Sequence, residues 1–330
     1  MKALVTGGGG FLGSAIVRRL IARGDTVRTF QRGYYPELEK LGVECIRGDL
    51  TDGVAVQFAV RDVDVVFHVA AKAGVWGRYA DYHQSNVEAT NNMLRSAADA
   101  AVTRLVFTSS PSVVFDGTDE NGINESAPYP KKYLSNYPQT KTIAEKAVLT
   151  ANSPTFATVA LRPHLIWGPG DPHLVPRIIA RAKSGRLRIV GNGQNLVDST
   201  YIDNAADAHL LAADHLHPGA PCAGKAYFLS NGEPLPMADL LNRILAAAGL
   251  PPVTRSISAK KAYALGATLE GIHRILNLKS EPPMTRFVAR QLSTAHWFDL
   301  TAIQRDLGYR ATVSIDEGMR RLAASLEGRP

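Results

Sequence analysis

Apolar residues occur in two kinds of spacing along the first half of the chain. Short apolar-rich runs, typical of buried strands, lie at residues 2–6, 26–30, 44–47, 63–69, 104–108 and 155–161. Longer stretches with helical spacing follow several of these runs, and the first covers residues 14–23. This alternation predicts an α/β fold with a Rossmann-type, doubly wound parallel sheet. Ligands of such a sheet bind at the carboxyl ends of its strands.

The second half of the chain has a less regular pattern. Prolines and glycines interrupt residues 169–193, a further strand is predicted at 225–230, and a helix at 237–248. We therefore predict a smaller C-terminal substrate-binding domain over residues 166–330. It packs on a first domain over residues 1–165, to whose sheet the strand near 225–230 returns.

One predicted helix, over residues 259–278, is both apolar and basic. Its apolar residues are Leu265, Leu269, Ile272, Ile275 and Leu276, and the bracketing cations are Lys260, Lys261, Arg274 and Lys279. We expect this helix to cover the substrate pocket with its apolar face in the core. The alternative is a helix that lies on an anionic membrane surface.

A glycine-rich turn follows the first strand directly. The turn runs from Gly7 to Gly13 and includes Gly10, Phe11 and Leu12, and a helix follows it. Glycines let the backbone approach a pyrophosphate, and a helix N-terminus offers amide donors and a partial positive charge. This order of strand, turn and helix predicts a dinucleotide site.

The end of the second strand indicates which dinucleotide binds. An NAD site usually has an acidic residue there for the ribose 2′-hydroxyl, but this chain has Phe30-Gln31-Arg32. Arg32 suits a 2′-phosphate, which favours NADP and makes residues 1–165 an NADP-binding domain. In the alternative, Arg32 only stacks on the adenine or points into water.

Composition narrows the partners without naming one. The net charge of +7 and the pI near 9.4 favour anionic ligands, and a phosphorylated cofactor, an acidic substrate and a membrane surface all stay open. Because the basic residues are scattered, we expect no nucleic-acid partner. Two cysteines and no paired histidine ligands predict a reduced, cytoplasmic protein without a metal site, and the first residues do not resemble a signal peptide.

The segment Tyr137-Pro138-Gln139-Thr140-Lys141 carries the strongest candidate chemistry. A tyrosine and a lysine at this spacing share one helical face, and a nearby lysine charge lowers the pKa of a phenol. Tyr137 can then exchange a proton near neutral pH, as carbonyl reduction and alcohol oxidation require.

The glycine turn, the strand end Thr108-Ser109-Ser110 and the Tyr137/Lys141 helix occur in an order that resembles the extended short-chain dehydrogenase/reductases over essentially the whole chain. Residues 141–149, 161–163, 168–171 and 201–204 look like the 3β-hydroxysteroid dehydrogenase group. Residues 34–38, 71–77, 110–113, 230–237 and 281–287 are similar to bacterial 2-alkyl-3-oxoalkanoate reductases of long-chain olefin biosynthesis.

This resemblance implies roles for four catalytic residues. Ser110 would hydrogen-bond the substrate carbonyl, Tyr137 would donate the proton in reduction, and Lys141 would lower the pKa of Tyr137 and hold the nicotinamide ribose. Ser109 competes for the serine role, but the spacing to Val113 favours Ser110. Asn86 matches a family asparagine near the active site, and a purely structural hydrogen bond is the equal alternative.

The resemblance also implies contacts along the cofactor. Asp49 and Leu50 would flank the adenine, and Pro163 and Ile166 the nicotinamide. Ala70, Ala71 and Lys72 would flank the middle. Lys72 stands where a small or neutral residue is usual, so its charge is alternatively available to a substrate carboxylate.

The implied function is NADPH-dependent reduction of a long-chain 2-alkyl-3-oxoalkanoate, a lipid-like β-keto acid, to the 2-alkyl-3-hydroxyalkanoate. The rivals are an NAD(P)-dependent 3β-hydroxysteroid or sterol dehydrogenase, more distantly a nucleotide-sugar epimerase, and a non-catalytic NADP-sensing protein. Expected partners are a second copy of the chain through helices 81–100 and 137–151, the inner face of the membrane, and other olefin-pathway enzymes.

Overall fold

A computed structural model describes residues 1–327 of the chain. These residues form fifteen strands: β1 (Lys2–Thr6), β2 (Thr26–Gln31), β3 (Glu44–Arg47), β4 (Val65–His68), β5 (Arg104–Thr108), β6 (Glu120–Ile123), β7 (Ala157–Pro163), β8 (Ile166–Trp167), β9 (Ile189–Val190), β10 (Leu196–Val197), β11 (Thr200–Tyr201), β12 (Lys225–Leu229), β13 (Leu235–Pro236), β14 (Ser256–Ile257) and β15 (His296–Phe298).

The same residues form thirteen α-helices: α1 (Phe11–Ala22), α2 (Pro36–Glu39), α3 (Gly53–Ala59), α4 (Tyr79–Tyr82), α5 (Ala89–Asp99), α6 (Asn136–Thr150), α7 (Leu174–Lys183), α8 (Ile202–His215), α9 (Met237–Ala247), α10 (Ala259–Ile275), α11 (Arg286–Ser293), α12 (Thr301–Leu307) and α13 (Ile315–Glu327). A π-helix over His83–Glu88 joins α4 to α5, and a short 3₁₀ helix covers Pro111–Val113.

The central sheet has seven parallel strands in the order β12-β7-β5-β4-β1-β2-β3. Both faces are buried, as the apolar strand runs require. In β1, Ala3 and Val5 pack in one core with α1 and α8, whereas Leu4 packs in a second core with α3, α5 and α6. The predicted doubly wound parallel sheet is confirmed.

The later part of the chain forms smaller sheets over one end of this core. A four-stranded sheet has the order β13-β10-β15-β6, and two further strand pairs join β11 to β8 and β14 to β9. β12 pairs in parallel with β7, so this late segment extends the central sheet. The division of the chain near residue 165 stays a prediction.

Helix α10 is oriented differently from our expectation. Its buried residues are Ala262, Gly266, Glu270 and His273. A Cβ at Gly266 would lie 2.6 Å from the backbone carbon of Thr285, so this close approach selects a small residue. The placement of its apolar face in the core was therefore wrong: Ile275 is 84% exposed and Leu276 62%. Within residues 1–327, no helix combines the length and the apolar character needed to cross a bilayer.

Candidate active site

The glycine turn forms a backbone cradle at the end of β1. Gly7 has a φ of 68°, and its carbonyl accepts the amide of Gly10 at 2.9 Å. A Cβ at Gly13 would lie 2.1 Å from the Gly7 oxygen, so only glycine fits there. Since Gly10 is the N-cap of α1, the first amides of this helix are free of partners within the helix and available to an anion.

A cleft of about 650 Å³ opens beside this cradle at the carboxyl ends of the strands. It brings together the predicted cofactor residues Gly7, Gly10, Phe11, Leu12, Gly13, Arg32, Asp49, Leu50, Ala70, Ala71, Lys72, Tyr137, Lys141 and Ile166. Pro163 does not line it, because this residue is buried at the end of β7 in register with Leu229.

Two buried polar atoms in this cleft fit an absent polar ligand. The side-chain oxygen of Gln31, at the end of β2, and the hydroxyl of Ser109, after β5, have no hydrogen-bond partner among the described residues. Buried polar atoms normally have a partner, so these two atoms are free for a ligand's hydroxyl or amide groups. Together with the glycine cradle they fit a dinucleotide.

Arg32 has an acidic neighbour that the sequence did not suggest. Its guanidinium lies 3.9 Å from the carboxylate of Asp49, and both side chains are largely exposed. Hydrogen bonds from Thr51 are the main cause of the lowered pKa of Asp49, to which Arg32 adds. Asp49 thus competes with any phosphate for the charge of Arg32.

Tyr137 and Lys141 lie one turn apart near the start of α6. The Lys141 ammonium donates to the Thr108 carbonyl at 2.7 Å and lies 4.0 Å from the centre of the Phe107 ring. Burial lowers the pKa of Lys141 to about 7, although the nearby Glu145 opposes this shift. The lysine therefore changes its charge near neutral pH.

Burial raises the pKa of Tyr137, and a hydrogen bond with Ser110 opposes that shift. We expected the charge of Lys141 to lower this pKa. In the structure, the Lys141 ammonium bonds instead to Thr108, and the only opposing effect comes from the serine. Tyr137 consequently keeps its proton at neutral pH, which is the form that a proton donor needs.

Ser110 heads the 3₁₀ helix that follows β5. Its hydroxyl lies 2.9 Å from the Ser112 hydroxyl and accepts the Ser112 amide at 3.3 Å. These bonds fix the side chain next to the Tyr137 phenol. Ser109 lines the cofactor cleft instead, so the two serines that competed in the sequence occupy different places.

Asn86 lies in the π-helix, and its side chain hydrogen-bonds to the loop after β4 and to helix α6; we call these hydrogen bonds the Asn86 clasp. Its side-chain oxygen accepts the amide of Lys72 at 2.7 Å, and its side-chain nitrogen donates to the Lys72 carbonyl at 3.2 Å and to the Thr140 hydroxyl at 3.1 Å. Thr140 is in α6 beside Lys141. The asparagine thus ties the loop to the helix that carries Tyr137.

A buried hydrogen-bond chain that sequence reasoning missed continues from this clasp. The Thr6 hydroxyl accepts the amides of the two residues that follow His68, which leaves its proton for His68 Nδ1 at 3.0 Å. His68 Nε2 then donates to the Thr90 hydroxyl at 3.0 Å, which donates to the Asn86 carbonyl at 2.7 Å. Burial lowers the pKa of His68 to about 3, so it stays neutral.

Asp171 also lines the cleft without having been predicted as a site residue. Its carboxylate accepts the amides of His173, Leu174 and Val175 and so caps helix α7. The signal was present, because Asp171 ends the Gly168-Pro169-Gly170-Asp171 stretch.

A second cavity, of about 810 Å³, adjoins the cofactor cleft. Val75, Trp76, Leu134 and Leu278 give it apolar walls, and Arg274 and Lys279 lie on the side of α10. Lys72 lines both this cavity and the cofactor cleft. The arrangement is a dinucleotide cleft that Tyr137, Lys141 and Ser109 line, with a second cavity of mixed polar and apolar lining beyond Lys72.

Comparison with known proteins agrees with this geometry. The model of the 3-beta hydroxysteroid dehydrogenase/isomerase family matches residues 4–257. The chain is 55% identical over 327 residues to a 2-alkyl-3-oxoalkanoate reductase of Stenotrophomonas maltophilia, which covers 98% of this chain and 99% of that protein. It is 35% identical to the mouse sterol-4-alpha-carboxylate 3-dehydrogenase, decarboxylating, over 98% of this chain and 90% of that one.

Solved structures give the same fold. MoeE5 in complex with UDP-glucose and NAD is 25% identical, covers 99% of both chains and has a TM-score of 0.76. The UDP-glucose 4-epimerase of Thermotoga maritima, at 20% identity and a TM-score of 0.78 over 99% of both chains, shares the fold.

Proposed function

The chain belongs to the 3-beta hydroxysteroid dehydrogenase/isomerase family, and we propose that within it the protein reduces a long-chain 2-alkyl-3-oxoalkanoate to the 2-alkyl-3-hydroxyalkanoate with NADPH. The observation that carries the proposal is that Tyr137 and Lys141 line the cofactor cleft and that Ser110 lies in hydrogen-bonding contact with Tyr137. The full-length similarity to a reductase of that name supports the substrate class.

The chemistry follows from the positions of these side chains. A nicotinamide held in the cleft beside Tyr137 and Lys141 would supply the hydride that C3 of the substrate receives. The hydroxyl of Ser110 orients the carbonyl oxygen, and Tyr137 supplies the proton that turns this oxygen into a hydroxyl. Lys141, held by the Thr108 carbonyl one helical turn from Tyr137, would bind the nicotinamide ribose.

We propose that the cofactor is NADP rather than NAD. Support comes from Arg32 in the lining of the cleft and from an amide, Gln31, in place of an acidic residue at the end of β2. Asp49 weakens this support because it lies near Arg32.

We further propose a place in long-chain olefin formation. The product carries a hydroxyl on C3 and a carboxylate on C1. Loss of water and carbon dioxide from it leaves a double bond between C2 and C3. A reaction that activates the hydroxyl for this loss has to consume the product, so association with such an enzyme is expected.

The decisive experiment measures both directions of the reaction. Oxidation of NADPH and of NADH is followed with a 2-alkyl-3-oxo acid, and reduction of NADP⁺ and NAD⁺ with the 2-alkyl-3-hydroxy acid and with a 3β-hydroxysteroid. The hydroxy acid is included because β-keto acids lose carbon dioxide in solution. Turnover of steroids with NAD⁺ alone would overturn the proposal, and nucleotide binding without any turnover would indicate a sensor.

Peripheral contact with an anionic membrane is the role that we propose for the exposed face of α10 and the residues after it. This apolar ridge consists of Leu265, Ile272, Ile275, Leu276 and Leu278, each at least 40% exposed. Arg274 and Lys279 flank it with positive charge, and Leu278 also lines the second cavity. A lipid-like substrate would then pass from the cytoplasmic face of a membrane into the second cavity.

Vesicle flotation tests this contact. The protein should float with vesicles that contain phosphatidylglycerol and not with phosphatidylcholine alone, and the double variant I275E/L276E should lose the effect. Val54→Glu is the control, because Val54 is 77% exposed on the distant helix α3. No flotation, together with altered binding of another protein by the double variant, would assign the ridge to a protein partner.

A homodimer through α5 and α6 completes the proposal. The two helices pack side by side, and Ile143 on α6 is 38% exposed. Sedimentation should give the mass of two chains, and Ile143→Glu should shift the equilibrium toward one. An unchanged dimer in that variant would place the interface elsewhere.

A further inference from the structure

Lys72 occupies the junction between the cofactor cleft and the second cavity. Among residues 1–327, it is the one whose atoms line both spaces. The residue follows β4 in the loop at the carboxyl end of the sheet. A group bound by Lys72 therefore lies between the cofactor cleft and the second cavity.

The backbone of Lys72 is held from both sides. Asn86 bonds to its amide and to its carbonyl, and the same side chain bonds to Thr140 in the helix of Tyr137. The origin of the lysine side chain is thus fixed relative to the proton donor. Such rigid support is what a binding group near a reacting atom requires.

The ammonium group of Lys72 has no acidic partner within 4.0 Å in the part of the chain that the structure describes, and it lies 5.3 Å from the centre of the Tyr82 ring. Two carboxylates border this region, and each is already paired with an arginine. Asp81 pairs with Arg78 at 2.8 Å, and Glu281 pairs with Arg177 at 2.8 Å. The charge of Lys72 is therefore available to a ligand.

Other cations of the second cavity are less suitable. Arg78 is committed to Asp81, and Arg286 is committed to Glu270 at 2.8 Å. Arg274 lies over the Trp76 ring on the side of α10, away from the cofactor cleft that only Lys72 shares among these cations.

We propose that Lys72 binds the carboxylate of the 2-alkyl-3-oxo acid, an inference that rests on the proposed function. In this substrate the carboxylate carbon is two bonds from C3, the carbon that accepts the hydride. A cation that holds the carboxylate must consequently lie beside the inner end of the cofactor cleft, as Lys72 does. The alkyl chains then extend into the second cavity along its apolar residues Val75, Trp76, Leu134 and Leu278, and the ketone faces Tyr137 and Ser110.

The test compares an acid with its matched ketone, the dialkyl ketone that remains when the β-keto acid loses carbon dioxide. Lys72→Met keeps the length of the side chain and removes the charge, and Lys72→Arg keeps the charge. We expect Lys72→Met to lower kcat/KM for the acid by about 10- to 100-fold, mainly through KM, and to leave the ketone nearly unchanged. Lys72→Arg should restore most of the loss.

Two further measurements decide between this role and others. NADPH binding, followed by the fluorescence of the reduced nicotinamide, should be the same in Lys72→Met and the wild type. Lys279→Met, at the α10 side of the same cavity, is the matched control and should keep the wild-type ratio of acid to ketone turnover.

Each other outcome has a distinct meaning. Weaker NADPH binding in Lys72→Met would assign the lysine to the cofactor phosphates and overturn the inference. Equal losses of kcat/KM for the acid and the ketone would also overturn it, because the ketone has no carboxylate whose binding the substitution could weaken. If the wild type itself reduced ketones but no oxo acid, the proposed function would fail, and the carboxylate assignment would fail with it.

Discussion

The ammonium of Lys141 donates to the carbonyl of Thr108 at 2.7 Å, which joins the second residue of the tyrosine–lysine pair to the end of the central strand β5. The lysine is 2% exposed, and its burial lowers its pKa to about 7. Helix α6 is thus bonded to strand β5 through a lysine whose charged form is disfavoured by burial in the folded protein.

This burial makes stability depend on pH. In the unfolded chain Lys141 keeps its proton up to about pH 10.5, whereas in the folded protein it loses it above about pH 7. Between these values the unfolded chain binds more protons. The lysine therefore makes the free energy of unfolding rise with pH, by at most about 1.4 kcal/mol per pH unit.

Urea unfolding of the ligand-free protein at several pH values between 7 and 10 measures this slope. Lys141→Met should lose it, so the difference between wild type and variant should grow in favour of the wild type as the pH rises. Lys146→Met, at an exposed position of α6, is the control. Parallel curves for wild type and Lys141→Met would contradict the burial argument.

Tyr137→Phe should remove the proton donor and little else. We expect kcat to fall by about 100- to 10,000-fold, with NADPH binding retained. Tyr79→Phe is the matched control, since Tyr79 is 40% exposed and lines neither the cofactor cleft nor the second cavity. A small effect of Tyr137→Phe on turnover would assign proton transfer to another group.

Substitution of the two adjacent serines should have different effects, one on turnover and the other on NADPH binding. Ser110→Ala removes the hydroxyl beside the Tyr137 phenol and should lower kcat by about 100-fold. Ser109→Ala removes a buried hydroxyl that has no hydrogen-bond partner among residues 1–327, so it should mainly weaken NADPH binding. The reverse pattern would exchange the two assignments.

Arg32→Ala tests the nucleotide preference. If Arg32 bonds the 2′-phosphate, kcat/KM for NADPH should fall by about tenfold or more while that for NADH changes little. Asp49→Asn should act in the opposite direction, because it removes the acid 3.9 Å from the arginine. Arg47→Ala is the control at the end of β3. Equal losses for both nucleotides would indicate that Arg32 stacks on the adenine.

Sequence patterns predicted the sheet well because parallel strands are buried on both faces. The strands at 44–47 and 104–108 have the predicted bounds, and the cleft collects most of the predicted cofactor residues because their positions follow strand ends. The spacing to Val113 favoured Ser110 over Ser109 for the serine role, and that role stays a prediction.

Contacts between distant segments could not be predicted in this way. The clasp of Asn86 on Lys72 needs a π-helix, and the pairing of Arg32 with Asp49 needs the register of β2 and β3. The orientation of α10 was wrong because periodicity shows that a helix has two faces without showing which neighbour packs on either. Here the small face packs against Thr285.

Asn86 offers a test of how the clasp supports the site. Asn86→Ala removes the side-chain hydrogen bonds to the Lys72 amide and carbonyl and one of the bonds of the Thr140 hydroxyl, so the free energy of unfolding should fall by about 1–3 kcal/mol. Activity should fall more for the oxo acid than for the matched ketone, because Asn86 also fixes the backbone of Lys72. Asn86→Asp keeps the bond to the Lys72 amide and should lose less stability. A large loss of kcat at unchanged stability would instead place Asn86 in contact with substrate.

A buried ion pair between Glu145 and Arg162 joins helix α6 to the central sheet. Glu145 of α6 accepts two hydrogen bonds from Arg162 of β7, at 2.6 and 3.0 Å, and a third from Tyr129 at 2.8 Å. Both charged side chains are at most 3% exposed. Removal of one partner leaves a buried charge uncompensated, so Glu145→Gln should lower the free energy of unfolding by about 3–5 kcal/mol. The double variant E145L/R162M removes both charges and should be more stable than either single variant in a double-mutant cycle measured by urea unfolding. Additive losses would show that the two side chains act independently, and the anchor would then have to be sought in the apolar packing of α6 on the sheet.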